Sequence, residues 1–253
     1  MLRTVTATRY VTPLREGGSL PGLVEGNDDG LYVVKFRAAG QGIKALVAEV
    51  IVGELARALG LPVPEIVLVD VPEALGRTEP DPEINDLVTG SAGLNCGLDF
   101  LPGALDFNAD SAELITAEQA AEIVWFDSFT TNVDRTPRNP NMLVWHGHAW
   151  LIDHGAALYQ HHGSDDLVSR AGDRFPLIRD HVLLARAASI ADADQRMAAR
   201  VTDALVNQVL SLIPDEWLGA DPDATRGQYS RYFSARLVEP RAFALTAEEA
   251  RHG

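Results

Sequence analysis

The chain has 253 residues, 46% of them hydrophobic and 23% charged, enough to bury a substantial core as one two-lobed unit or two small domains. A formal net charge of −15 without any Lys/Arg cluster argues against direct nucleic-acid binding, and no apolar run reaches the length of a membrane span. A single cysteine, Cys96, leaves no intrachain disulfide framework, and the polar N-terminal stretch lacks a hydrophobic signal core; both point to a cytoplasmic protein.

Residues 10–14 read as a strand running into the glycine-rich turn Arg15-Glu16-Gly17-Gly18-Ser19-Leu20-Pro21-Gly22, and residues 23–26 lead back. After the turn-rich Gly26-Asn27-Asp28-Asp29-Gly30, residues 31–36 have strong β-propensity and carry Lys35. The chain has only two lysines, Lys35 and Lys44, and every other basic residue is arginine. A lysine kept in an arginine-rich chain marks a place that needs a compact ammonium, or one that chance has spared.

Residues 43–59 carry apolar side chains at helical spacing, with Gly60 and Pro62 as stop signals, and predict an amphipathic helix. Glu54 on it has Arg57 one turn along and is satisfied locally. Glu49 has Ala45, Leu46, Val52 and Gly53 as helical neighbours and wants a partner elsewhere in the fold. Gly40-Gln41-Gly42 before the helix is a candidate anion nest, with Lys44 reaching into it or into solvent.

Residues 65–71 read as a strand, 75–86 as a Pro-rich acidic connection, and 97–102 as a strand with Cys96 buried beside it. Thr116-Ala117-Glu118-Gln119 is a capping box that opens a helix through Thr130. Residues 159–174 are polar and read as a mobile segment. Residues 192–212 and 225–238 are helical by period, with Tyr229, Tyr232 and Phe233 as core filler.

The chemistry concentrates between these elements, in Asn132-Val133-Asp134-Arg135-Thr136-Pro137-Arg138-Asn139-Pro140-Asn141 and, further on, Asp153-His154-Gly155. Between them two apolar β-prone runs, 142–145 and 149–152, flank His146-Gly147-His148 and predict a hairpin with a tight turn. Its open end would bring Asp134 and Asp153 together, close enough to share a metal. Phosphoryl transfer needs such parts: a carboxylate at the attacking hydroxyl, and oxygen ligands that hold Mg²⁺ on nucleotide phosphates.

Strand lysine, helix glutamate, the Asp134–Asn139 loop, hairpin and Asp-x-Gly, in that order, resemble the HipA-like kinases of the protein-kinase and phosphatidylinositol-kinase fold. The similarity runs from about Glu16 to the Leu177-Ile178-Arg179-Asp180-His181 segment. It implies an α+β, two-lobed fold with a small β-rich N-lobe over residues 1–101 and a mostly helical C-lobe over 102–253. It also implies an ATP- and Mg²⁺-dependent kinase acting on a protein hydroxyl or another acceptor, with a regulator possible.

Carried over by position, Asp134 is the catalytic base or orienting acid. Asn139 and Asp153 are metal ligands, with Asn141 a further candidate. Lys35 contacts the α- and β-phosphates and is held by Glu49. Gly17, Gly18 and Ser19 form the loop over the phosphates, Ser19 being a self-phosphorylation site by analogy. Asp99, Phe100 and Leu101 form a hinge facing adenine, and residues 159–174 an activation-type segment. Three positions depart from related kinases: no His-Arg-Asp precedes the loop, Thr136 stands where lipid kinases have histidine, and His154 replaces the phenylalanine of Asp-Phe-Gly.

Two other readings compete. One is a kinase-fold nucleotide-binding regulatory module, or a transferase of another part of ATP. The other is a metal-dependent hydrolase, because six of the seven histidines fall between residues 146 and 181. Yet four residues separate His148 from Asp153-His154, where the known His-x-His-x-Asp-His order has one.

Overall fold

In the computed structural model, which describes residues 1–14, 20–40, 42–163 and 166–253, the strand expected from residue 10 begins at Thr4. Threonines alternate with Val5 and Ala7 at the start of β1 (Thr4–Pro13), so Val5 and Ala7 enter a core while Thr4 and Thr8 face out. With β2 (Gly22–Gly26), β3 (Leu31–Lys35), β4 (Ile66–Val71) and β5 (Gly93–Asp99) it forms a closed barrel in the order β1-β2-β3-β5-β4. Every pairing is antiparallel except β1 with β4, where Thr4 to Thr6 run parallel to Leu68 to Asp70 and close the ring.

Strand alternation sends Tyr32 and Val34 into the barrel with Val24, Val67 and Val69. Lys35 then emerges on the opposite face, paired with Cys96 of β5. A Cβ on Gly97 would lie 2.6 Å from the Val69 side chain, so only glycine lets β5 pass over this interior. The expected Pro-rich connection holds a helix instead, α2 (Pro82–Gly90), started by the Asp81 cap and Pro82. Its Ile84 and Val88 join the barrel core.

Helix α1 (Gly42–Ala58) is not amphipathic in the usual sense. Residues 45–53, Leu55 and Ala56 are all buried. One side packs on the outer face of β4 and β5, where a Cβ on Gly53 would come within 2.4 Å of Ile66. The other side meets helices of the C-terminal half, and one apolar cluster runs through α1 from Cys96 and Leu98 to Tyr232 and Phe243.

That half is built around α3 (Ala117–Phe129), opened by the expected capping box and buried from Ala120 nearly throughout. Beside it β6 (Leu105–Asp106), β7 (Met142–Trp145) and β8 (His148–Leu151) form a small sheet. The β7–β8 turn places His146 and Gly147 at φ 50° and 77°, the left-handed pair a two-residue hairpin requires.

Where one helix was expected over 192–212 there are two, α5 (Ile190–Ala198) and α6 (Asp203–Leu210). Ser189 and Thr202 each cap a separate N-terminus, which outweighs the shared apolar period. The polar segment 159–174 includes the short helix α4 (Tyr159–Gly163), and Leu167 and Ala171 anchor it in the core. Helix α7 (Pro222–Arg236) brings Tyr229, Tyr232 and Phe233 inward, and α8 (Ala242–His252), which the sequence reading did not anticipate, covers α3. Among the described residues no helix is long and apolar enough to cross a membrane.

Candidate active site

The face of β3 turned away from the barrel points Lys35 at α1. Its ammonium donates to Glu49 Oε2 at 2.6 Å and also to Asp153 Oδ1. Glu49 is fully buried, and Lys35 nearly so. Burial depresses an ammonium, but Glu49 and then Asp153 outweigh it, leaving Lys35 above the usual lysine range. Burial likewise pushes the Glu49 carboxyl up, and Lys35, followed by the hydrogen bond from His154, holds it well below the carboxylate range. Glu49 Oε2 also accepts the His154 backbone N–H at 2.9 Å. Glu54 pairs with Arg57 at 2.7 Å on the surface side of the same helix.

Asp153 follows β8 in left-handed backbone, φ 55°, and Asn141 precedes β7 at φ 48°. A non-glycine residue held there costs on the order of 1–3 kcal/mol, so both ends of the hairpin are constrained by their surroundings. The Ile152 N–H donates to Asn141 O at 3.0 Å, which ties the two strained positions together. Asp134 Oδ2 accepts from Asn139 Nδ2 at 2.9 Å and Asn141 Nδ2 at 3.1 Å. The loop thus folds its two amides around one carboxylate oxygen.

Beneath the loop lies an anchor that sequence reasoning missed. Asp127 of α3, fully buried, accepts from Arg135 Nε at 2.6 Å, Asn132 Nδ2 at 3.1 Å and His181 Nε2 at 2.8 Å. His181 Nδ1 accepts the Leu183 N–H, which leaves the ring proton on Nε2 for Asp127. Arg135 also donates to the Asn141 carbonyl, and Asn132 Oδ1 accepts the Asp134 N–H at 3.1 Å. Asp134 is therefore flanked by two residues fixed to the same buried acid. The available signal was Asp127 itself: a carboxylate inside Trp125-Phe126-Asp127-Ser128-Phe129 with no cation three or four residues away.

Lys35, Asp99, Phe100, Leu101, Asp134, Asn139, Asn141 and Asp153 line one cleft of about 1080 Å³ between the barrel and the hairpin. The Asp99 and Phe100 N–H groups are spent on Glu65 O at 2.8 Å and Leu31 O at 2.9 Å. Leu101 N–H makes no protein hydrogen bond among the described residues. Gly17, Gly18 and Ser19 lie outside the described residues, as does Gln41 of the candidate nest. Lys44 does not enter the cleft; it donates to the His161 carbonyl at 2.7 Å.

The histidines are dispersed. His154 faces Glu49, His161 bonds Tyr229 and His162, His181 serves Asp127, and His146 and His148 sit at the exposed hairpin tip. Among the described residues no group of three or more His, Cys, Asp and Glu side chains is arranged to hold a metal. Cys96, behind Lys35, is buried, and burial pushes its thiol up.

Comparison with solved structures finds this architecture in a proinflammatory kinase, CtkA, of Helicobacter pylori. The TM-score is 0.60 at 12% identity, over 100% of this chain and 99% of that one, a likeness of fold. No curated protein matches the sequence. The family model described as HipA-like kinase matches residues 8–236, nearly the whole chain, and on that ground the chain belongs to the HipA-like kinase family.

Proposed function

We propose that the protein is a two-lobed, ATP- and Mg²⁺-dependent kinase that transfers a phosphoryl group to a hydroxyl, with a protein serine or threonine as the acceptor class. The N-lobe would comprise residues 1–101 and the C-lobe 102–253, and the protein would work in the cytoplasm. The observation that carries the reading is the meeting, in one cleft, of Lys35 and Asp153, with Glu49 buried behind the lysine, and the Asp134–Asn139–Asn141 loop.

In this reading Lys35, its charge secured by Glu49, binds the α- and β-phosphates. Leu101 N–H offers the hinge donor for adenine. Asp153 with Asn139, and Asn141 beside it, presents the hard oxygen donors that suit Mg²⁺. The cation, when bound, neutralises phosphate charge. Asp134 orients the acceptor hydroxyl and takes its proton as the γ-phosphoryl bond to the leaving ADP breaks. Two amides around Asp134 Oδ2 hold that carboxylate in one rotamer, so the orientation is set before substrate arrives.

The test is nucleotide binding by calorimetry with and without Mg²⁺, followed by transfer of labelled phosphate from γ-labelled ATP to the protein or to a peptide mixture. Metal-dependent binding with transfer supports the kinase. Tight binding without transfer to any acceptor leaves a nucleotide-binding regulatory module. No ATP binding removes both.

A further inference from the structure

We infer that His154, at the middle of Asp153-His154-Gly155, is a positioning residue that locks the lysine-holding carboxylate through its ring as well as its backbone. This rests on the reading of Lys35 as the phosphate contact, and deepens it. By the resemblance drawn from the sequence, this is the position of the phenylalanine of Asp-Phe-Gly. Here it is a fully buried imidazole whose Nδ1 lies 3.4 Å from Glu49 Oε1, while its own N–H reaches Glu49 Oε2 at 2.9 Å.

Glu49 Oε1 has no other hydrogen-bond partner among the described residues, and a buried carboxylate oxygen without a donor is costly. Two lone pairs would repel at that separation, so the ring proton belongs on Nδ1, facing Glu49. His154 Nε2, on the far side, is buried and meets no donor or acceptor. The single useful polar contact of the ring is therefore the one to Glu49.

Lys35 is shared between Glu49 and Asp153. With a cation held by Asp153, Glu49 alone would aim the ammonium, and the aim of Glu49 depends on the residue next to Asp153 in sequence. The side chain of His154 thereby links lysine position to the backbone that carries the metal ligand.

The chain has only two lysines, so ¹⁵Nζ-lysine NMR of the protein without nucleotide shows two ammonium signals, separated by a Lys44→Arg variant. In His154→Phe the Lys35 signal should shift and lose its protection from exchange, and in His154→Asn, whose amide nitrogen replaces Nδ1, it should return. In turnover, His154→Phe should raise KM for ATP about tenfold, the loss expected of one hydrogen bond to a charged group. Mere damage to folding would instead lower kcat with KM unchanged. An unchanged Lys35 signal in a folded His154→Phe protein overturns the proposal. So does a wild-type histidine ¹⁵N spectrum that places the His154 proton on Nε2, a measurement that stands if His154→Phe fails to fold. Because the NMR arms use protein without ATP, absent kinase activity would count against the proposed function and leave the His154 result readable.

Discussion

Arg135 donates to Asp127 at 2.6 Å with both side chains shut away from solvent, and the residue before Arg135 is the proposed catalytic acid. The ion pair is thus part of the floor on which Asp134 stands. Asp127→Ala would strand the Arg135 guanidinium and the His181 ring in the interior. Removing one partner of a buried pair typically costs about 3–5 kcal/mol, so chemical denaturation should show a loss of that order. A loss under about 1 kcal/mol, as exposed pairs give, would mean that the network does not support the loop.

The same network sets an acid limit. Burial pushes Asp127 up, but Arg135 and then the His181 hydrogen bond hold it below the ordinary carboxyl range, as Lys35 and His154 do for Glu49. Carboxyls depressed in the folded state stabilise it above the unfolded value of about 4 and lose that contribution as pH falls through the folded values. Stability should therefore drop steeply below pH about 4, and Asp127→Asn should flatten that slope. Parallel acid-unfolding curves for the two proteins would contradict the assignment.

Asp153→Asn should abolish Mg²⁺-dependent stabilisation by ATP while leaving the fold intact, because it removes the anionic oxygen offered to the cation. Asp134→Ala should keep nucleotide affinity and lose transfer by a factor of about 10² or more, the scale of a lost general base. Thermal shift with Mg-ATP and single-turnover transfer separate the two. Loss of ATP binding in Asp134→Ala would show the two acids exchanged in role.

Lys35→Met and Glu49→Gln should each cripple transfer, and the double variant should be little worse than either, since both act through one ammonium. Additive losses in that cycle would break the link between them.

Glu54 supplies the contrast on the same helix. Its pair with Arg57 is an i,i+3 surface pair, so Glu54→Ala should cost no more than about 0.5 kcal/mol and leave transfer unchanged. A strong activity loss would move the lysine-holding role away from Glu49.

Sequence alone determined what local chemistry decides. The β-prone run around Lys35, the Thr116 capping box and the His146-Gly147 turn each depend on neighbours within a few residues, and each sits in the expected element. Tertiary structure decided everything that a one-dimensional period cannot carry. The apolar pattern of α1 marks one buried face, yet a helix between a barrel and a helical layer buries both, which only their packing reveals. Asp127 meets His181 across 54 residues of chain, and Lys35 meets Asp153 across 118. Such pairs leave no spacing to read, because the energy that joins two charges in an apolar interior depends on their separation in space and on the water excluded around them.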